Sequence, residues 1–308
     1  MKSLPRLVVA AVLLAASTAG RAQTIADLPE DKFKLLVEKA AVYAKALGAA
    51  RAVQKSYDRY AAWVDIKTGP TGKERSIDGV PDIAGALPEI ADAGAKGPAM
   101  WPPLGGVDGM AQKLAEATTA LAPLVKSASD YYAQHQYKSD DAKRGQELHG
   151  QMLPLFEQFF AAELAMRREF SPVFEDIERR YLAQIEKEHG KNYEWHLRSF
   201  LLVAKTVADL LPNHSDAAMI EGARYKARFA NLQAAYTLFT QYCVEHPAEV
   251  QKEVLSTSLE DFFAATRVLR GILDAPKPDR QVYLTKVNDL AAKYDVLIER
   301  TAITAAAR

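Results

Sequence analysis

Two polar blocks hold the side chains best suited to chemistry. The first is Gly69-Pro70-Thr71-Gly72-Lys73-Glu74-Arg75, whose glycines and paired cations suit an anion cradled on backbone donors. It is not a nucleotide-binding P-loop, which needs four residues between its glycines, a Ser or Thr after the lysine, and a preceding strand. Here two residues separate Gly69 from Gly72 and Glu74 follows Lys73. The plainer reading is a tight turn followed by solvated charges. The second block offers His135, Tyr137, Lys138, Asp140, Asp141, Glu147 and His149. Asp141 and His149 share a helical face with Gly145 between them, about 12 Å apart along the axis. That is too far for one ion with ligand bonds of about 2.0 to 2.3 Å. No HExxH or paired-histidine motif completes a site, so neither a metal nor any other cofactor is expected. Gly145 instead leaves a gap that another backbone or a ligand can approach, with close helix packing as the competing reading. The residues expected to bind are Lys73, Glu74, Arg75, Tyr131, Tyr137, Lys138, Asp140 and His149.

Elsewhere the chemistry is thin. No Gly-x-Ser-x-Gly elbow is present. His189 and His196 lie seven apart, about 10.5 Å along a helix, and read as an end-of-helix histidine and a packed one. Cys243, the single cysteine, has no partner within the chain and sits in a helical context, where a free thiol behaves as a small buried hydrophobe.

The elements that must position these blocks are helices. Phe33, Leu36, Ala40, Tyr43, Leu47, Ala50, Val53, Tyr57, Tyr60 and Val64 recur at steps of three and four, the period of a helix in a bundle. This helix is expected from about 29 to 65, with Asp27 as N-cap. Residues 67–106 then hold eight of the 16 glycines and six of the 15 prolines. That composition interrupts a helix and gives a long loop or linker, with one short helical piece near 83–93. Helical patterns resume over 108–132 and from about 139 to 188, the latter kinking or restarting at Ser171-Pro172. Four further helices are expected at 192–211, 215–246, 258–273 and 278–301, the third capped by a Ser258/Asp261 box. No segment alternates with period two as strands do. The fold class is all-α, an elongated bundle of about six or seven long helices, in a single domain over 23–308.

Composition sets the compartment and limits the partners. The 308 residues carry 39 Lys and Arg against 39 Asp and Glu, without the positive excess that drives nucleic-acid binding. Lys2 and Arg6 precede an apolar run over 7–19, too short to span a bilayer and proportioned like a secretory signal. Residues 1–22 are expected to be removed after Ala22, with Ala19 as the alternative. Losing Lys2, Arg6 and Arg21 and no acid leaves a mature charge of −3. No twin-arginine pair or lipidated cysteine marks the junction, so a soluble periplasmic or secreted product without a membrane span follows.

The polar junctions also carry a likeness. Ser56-Tyr57-Asp58-Arg59-Tyr60-Ala61-Ala62-Trp63-Val64-Asp65 leads into the first block, and Asp130-Tyr131-Tyr132, Tyr137-Lys138-Ser139-Asp140-Asp141 and Gly145-Gln146-Glu147-Leu148-His149 follow. In order and spacing the chain resembles the YiiG-like family of bacterial envelope proteins, over roughly 35–300. Many members carry a lipidated cysteine that is missing here. The resemblance implies an exported helical protein and supplies no reaction. The expected role is non-catalytic binding of an envelope protein or a small anionic ligand in the periplasm. The alternative is an enzyme acting on an anionic envelope substrate through residues 69–75 and 131–149.

Overall fold

The computed structural model describes residues 24–214, 218–250 and 255–306. The expected signal segment, 1–22, lies outside the described residues, as does Ser215, the expected start of the helix over 215–246. The described residues form eight α-helices and no strand: α1 Glu30–Ala61, α2 Leu87–Ala95, α3 Gly105–Ala133, α4 Lys143–His189, α5 Tyr193–Ala208, α6 Gly222–Glu245, α7 Leu255–Leu273 and α8 Arg280–Ala306. The all-α reading stands, with one helix more than the upper expectation.

Buried apolar side chains fall into two clusters. One is built by α1 to α4 and the segment between α1 and α3, the other by α5 to α8. In the first, the stripe on α1 meets α4 through edge-on aromatic pairs, including Tyr57 with Phe156 at 5.2 Å and Tyr43 with Phe170 at 6.1 Å. The Gly/Pro-rich segment is packed against the bundle. Val80, Ile83, Ala86, Ile90 and Ala93 are buried along it, and α2 occupies the place where a short helical piece was expected. Its carbonyls are tied down by α1 and its exit: Ser56 donates to Pro81 at 2.5 Å and the Trp63 indole to Gly79 at 2.8 Å.

The strongest tie is Lys39, fully buried on the apolar face of α1. Its ammonium donates to the carbonyls of Met100 and Pro102 and to Asp108 Oδ2, at 3.0, 2.7 and 3.0 Å. All three ammonium donors are thereby satisfied. Asp108 also accepts from the Tyr43 hydroxyl and from the Leu104 amide, the latter at 2.9 Å. Burial alone would raise the Asp108 carboxyl; these hydrogen bonds hold it below the usual carboxylate range.

Several ends differ from expectation because longer-range contacts override local signals. α1 starts after Pro29, two residues beyond the expected cap Asp27, and Pro29 provides no side-chain cap. α4 runs through Pro154 and Pro172 as one 47-residue helix of about 70 Å. Rather than starting a new helix, Ser171 donates to Asp209 at 2.8 Å and accepts from Lys205 at 2.7 Å. α7 begins at Leu255, so Ser258 lies buried inside it rather than capping it. At α5 the local signal holds: Asn192 Oδ1 accepts the Trp195 amide at 3.0 Å.

The two clusters meet along polar contacts. Arg167 pairs with Glu163 on α4, and the Asn213 amide donates to both Glu163 Oε2 and the Phe160 carbonyl at 3.0 Å. Arg51 of α1 pairs with Asp295 of α8 and lies over the Tyr294 ring.

Candidate functional site

The two polar blocks meet at one end of the first cluster, where α1 ends, α3 turns and α4 begins. Glycines allow the contact. A Cβ at Gly69 would come within 3.0 Å of Gln146 Oε1 and His149 Cδ2, and one at Gly72 within 3.2 Å of Ala142 Cβ. Both glycines have φ in the left-handed region, +79° and +74°. One at Gly145 would stand 2.9 Å from the Tyr132 hydroxyl and 3.4 Å from Pro70. Gln146 closes the junction by donating to the Pro70 carbonyl at 2.5 Å. The gap expected at Gly145 is therefore filled by Tyr132 and Tyr131 of α3, with Pro70 of the first block beside them, as close packing.

His149 is at the centre, 7% exposed. Its Nδ1 lies 2.9 Å from the Tyr60 hydroxyl, and the ring also hydrogen-bonds the Ile66 backbone. With the carbonyl of Ile66 taking the Nε2 proton, Nδ1 accepts from Tyr60 and the ring is neutral. Burial lowers its pKa, against weaker opposing contributions from Ile66 and Asp65. Burial likewise pushes up the hydroxyls of Tyr60 and Tyr132. Tyr131 is pushed up to about 12, by burial first and then by its 2.8 Å bond to Asp140.

Two carboxylates of the blocks, Glu74 and Asp140, are turned toward backbone amides and hydroxyls. Glu74 Oε1 accepts from the Thr71 amide and hydroxyl, and these bonds hold the carboxyl low although burial opposes them. Its Oε2 is buried without a hydrogen-bond partner, as is the Tyr132 hydroxyl. Asp140 accepts from Tyr131 and, at Oδ2, from the Arg144 amide in the first turn of α4 at 3.0 Å; although burial opposes them, these bonds hold the carboxyl low. Asp65 receives the Lys67 amide at 2.8 Å. The cations point the other way. Lys73, Arg75 and Lys138 are exposed and make no ion pair among the described residues, whereas Arg144 pairs with Glu147. The turn joining α3 to α4 is strained: His135, Asp141 and Ala142 hold φ of 54°, 53° and 60°, a region that costs an L-residue about 1 to 2 kcal/mol.

Of the expected site residues, Glu74, Tyr131, Asp140 and His149 come together in this packed junction. Tyr137 sits half-buried beside it, 3.3 Å from His135 Nδ1, with Lys138 over its ring at 5.9 Å. Lys73 and Arg75 lie on the outer side. Sequence reasoning missed Tyr60 and Gln146 as polar partners, and Tyr132 as a buried hydroxyl at the junction. The tyrosines sat on apolar stripes, where the ring hides the hydroxyl, and the partner of His149 lies 89 positions away. Among the described residues no group of three or more His, Cys, Asp or Glu side chains is placed to hold a metal ion. A cavity of about 570 Å³ opens on the flank, reached by Ile66, Lys67, Glu157, Phe160 and His214. No described helix is long and apolar enough to cross a membrane.

The family described as "Protein of unknown function (DUF3829)" matches residues 34–302, which takes in both apolar clusters and the junction. The chain belongs to this family. It is similar to "Uncharacterized protein YiiG" of Escherichia coli (strain K12), 29% identical over 199 residues, which cover 64% of this chain and 57% of that protein. The match thus spans little more than half of that relative's length. No solved structure matches. The YiiG-like resemblance read from the polar blocks agrees with both findings.

Proposed function

We propose that this DUF3829 protein is a non-catalytic binding protein of the periplasm, acting as a single domain, and that the end built by residues 69–75 and 131–149 holds an anionic envelope component. One observation carries the reading. At this end the carboxylates of Glu74 and Asp140 are taken up by amides and hydroxyls, while Lys73, Arg75 and Lys138 face solvent without acidic partners. A locally positive surface results on a chain with no net charge. The backbone strain at His135, Asp141 and Ala142 supports the same place, since such strain concentrates at functional sites. His149, the best acid–base candidate, is buried and tied to Tyr60, which favours binding over catalysis.

The test is a thermal-shift screen of the purified protein against phosphate, acidic sugars and peptidoglycan fragments. A ligand at 100 times its Kd stabilises the native state by about 2.7 kcal/mol. The combined Lys73→Ala, Arg75→Ala and Lys138→Ala variant should lose the shift and keep its ligand-free melting point, because the three side chains are exposed. A flat screen, or a shift the variant retains, refutes the proposal. Turnover of any binder would favour the enzyme reading instead.

A further inference from the structure

A second concave surface lies far along the chain from that end. α6 packs mainly on α5 and α7 mainly on α8, and between α6 and α7 a cleft of about 530 Å³ opens. Helical spacing sets its two walls. Residues 229, 233 and 236 share a face of α6; 263, 267, 270 and 274 share one of α7. The rings form a continuous stack: Phe229 on Phe263 at 5.9 Å and 14°, then Phe263 on Tyr236 at 4.0 Å and 4°. Phe229 is buried under Arg270 and Phe263 is half-buried, so the stack meets the cleft along the edge of Phe263.

Two guanidinium groups stand beside the stack. Arg270 lies over the Phe229 ring at 4.9 Å and is steadied by Asp274 at 3.4 Å, four residues on. Arg267 is exposed and makes no ion pair among the described residues. One turn beyond Arg267, Gly271 presents no side chain, and a Cβ built there would meet nothing within 4 Å, so the helix backbone is bare at the mouth of the cleft.

We propose that this cleft is a binding site for a small ring-bearing carboxylate. The carboxylate is taken by Arg267, with Arg270 alongside, and the ring packs against the exposed edge of Phe263. Guanidinium matches a carboxylate with two parallel hydrogen bonds, and an aromatic edge packs against the face of an aryl ring or of a sugar. Gln233, lining the α6 side, supplies an amide for ring hydroxyls. The site shares no residue with the polar end and stands or falls independently of it.

The experiment titrates the purified protein with benzoate, glucuronate and inorganic phosphate, read by calorimetry and by chemical shifts of α6 and α7. Saturable binding of at least one ring-bearing carboxylate, tighter than phosphate, is expected. Benzoate against glucuronate separates an aryl source from an acidic sugar. Loss of a charge-assisted bond worth about 1.5 to 3 kcal/mol predicts that Arg267→Ala weakens binding roughly 10- to 150-fold, with Arg267→Lys in between. Gly271→Leu should abolish binding by filling the mouth without lowering the melting point, because its side chain enters open space on a helix. Absence of saturation up to about 10 mM, weaker than a millimolar Kd of −4.1 kcal/mol, overturns the proposal. So does phosphate binding as tightly as the carboxylates, or affinity unchanged in Arg267→Ala or Gly271→Leu.

Discussion

The neutral, buried state of His149 makes the stability of this protein depend on pH in a calculable way. The folded pKa of His149 lies below the ordinary value of 6.5, chiefly because burial disfavours the charged ring. Between the folded pKa and 6.5 the unfolded chain therefore binds a proton that the folded chain does not. Stability then rises with pH up to about 6.5 and is lost as the pH falls below it, with a slope of at most about 1.4 kcal/mol per pH unit for this one proton. Above 6.5 the group contributes no slope. His196 is lowered as well, by burial first and then by Lys191 and His246, so the wild-type curve contains two such contributions. His149→Gln removes one and leaves the other. It also leaves the Tyr60 hydroxyl without its nitrogen acceptor, which costs about 1 to 3 kcal/mol at neutral pH if glutamine does not replace it. The assay is urea unfolding from pH 5 to 7.5 on both proteins, with the His149 ring protons followed by NMR. The expected result is a shallower acid limb in the variant and a ring that titrates below 6.5. A His149 titrating at or above 6.5, or identical slopes in the two proteins, refutes the argument.

The Lys39 node gives a larger effect. Asp108→Ala strands a fully buried ammonium and should cost about 3 to 5 kcal/mol, while combining it with Lys39→Met should cost less than the two singles together; urea midpoints with unchanged m-values check this. Because the Asp108 carboxyl is held low in the fold, its contribution is present above pH 4 and falls away as the pH drops through its folded pKa, a limb that Asp108→Asn should lack. Gly97→Ala should destabilise by about 1 to 3 kcal/mol, since its Cβ would stand 2.6 Å from the hydroxyl of Tyr43, a residue with no exposed surface; a melting point within a degree of wild type would contradict the packing.

The helices were readable because each writes its buried face into the sequence at steps of three and four, as Phe33 to Tyr60 do on α1. What stayed hidden was whatever depends on partners distant in sequence. Lys39 breaks an otherwise apolar stripe, and nothing local announces that its acceptors lie 61 to 69 positions away. The Gly/Pro-rich segment showed where helices must stop; that it packs against α1 follows from Val80, Ile83 and Ile90 finding a surface to cover. Ser258 with Asp261 and Ser171 with Pro172 have the local form of helix starts. Both lie inside helices because tertiary contacts use them otherwise, Ser258 as a buried residue of α7 and Ser171 as a link to Asp209 and Lys205. At the polar end, the residues were identified from type and spacing, but the direction each one faces was not. That direction decides the chemistry.

Direction also explains how a chain without net charge can present a charged end. Each carboxylate taken up by the first turn of a helix or by a tight turn removes an acceptor from the surface without removing any cation. Asp140 is held by Tyr131 and the Arg144 amide, and Glu74 by Thr71. The field at this end comes from exposed lysine and arginine side chains, so an anion held there is screened over a Debye length of about 8 to 10 Å in physiological salt. The cleft between α6 and α7 differs in kind. Its Arg270 guanidinium stands against the Phe229 ring, which keeps water from one side of the contact and lowers the local dielectric, so a carboxylate there is screened less than one at the polar end. Salt dependence thus distinguishes the two surfaces: strong attenuation belongs to the polar end, and persistence belongs to the aromatic cleft.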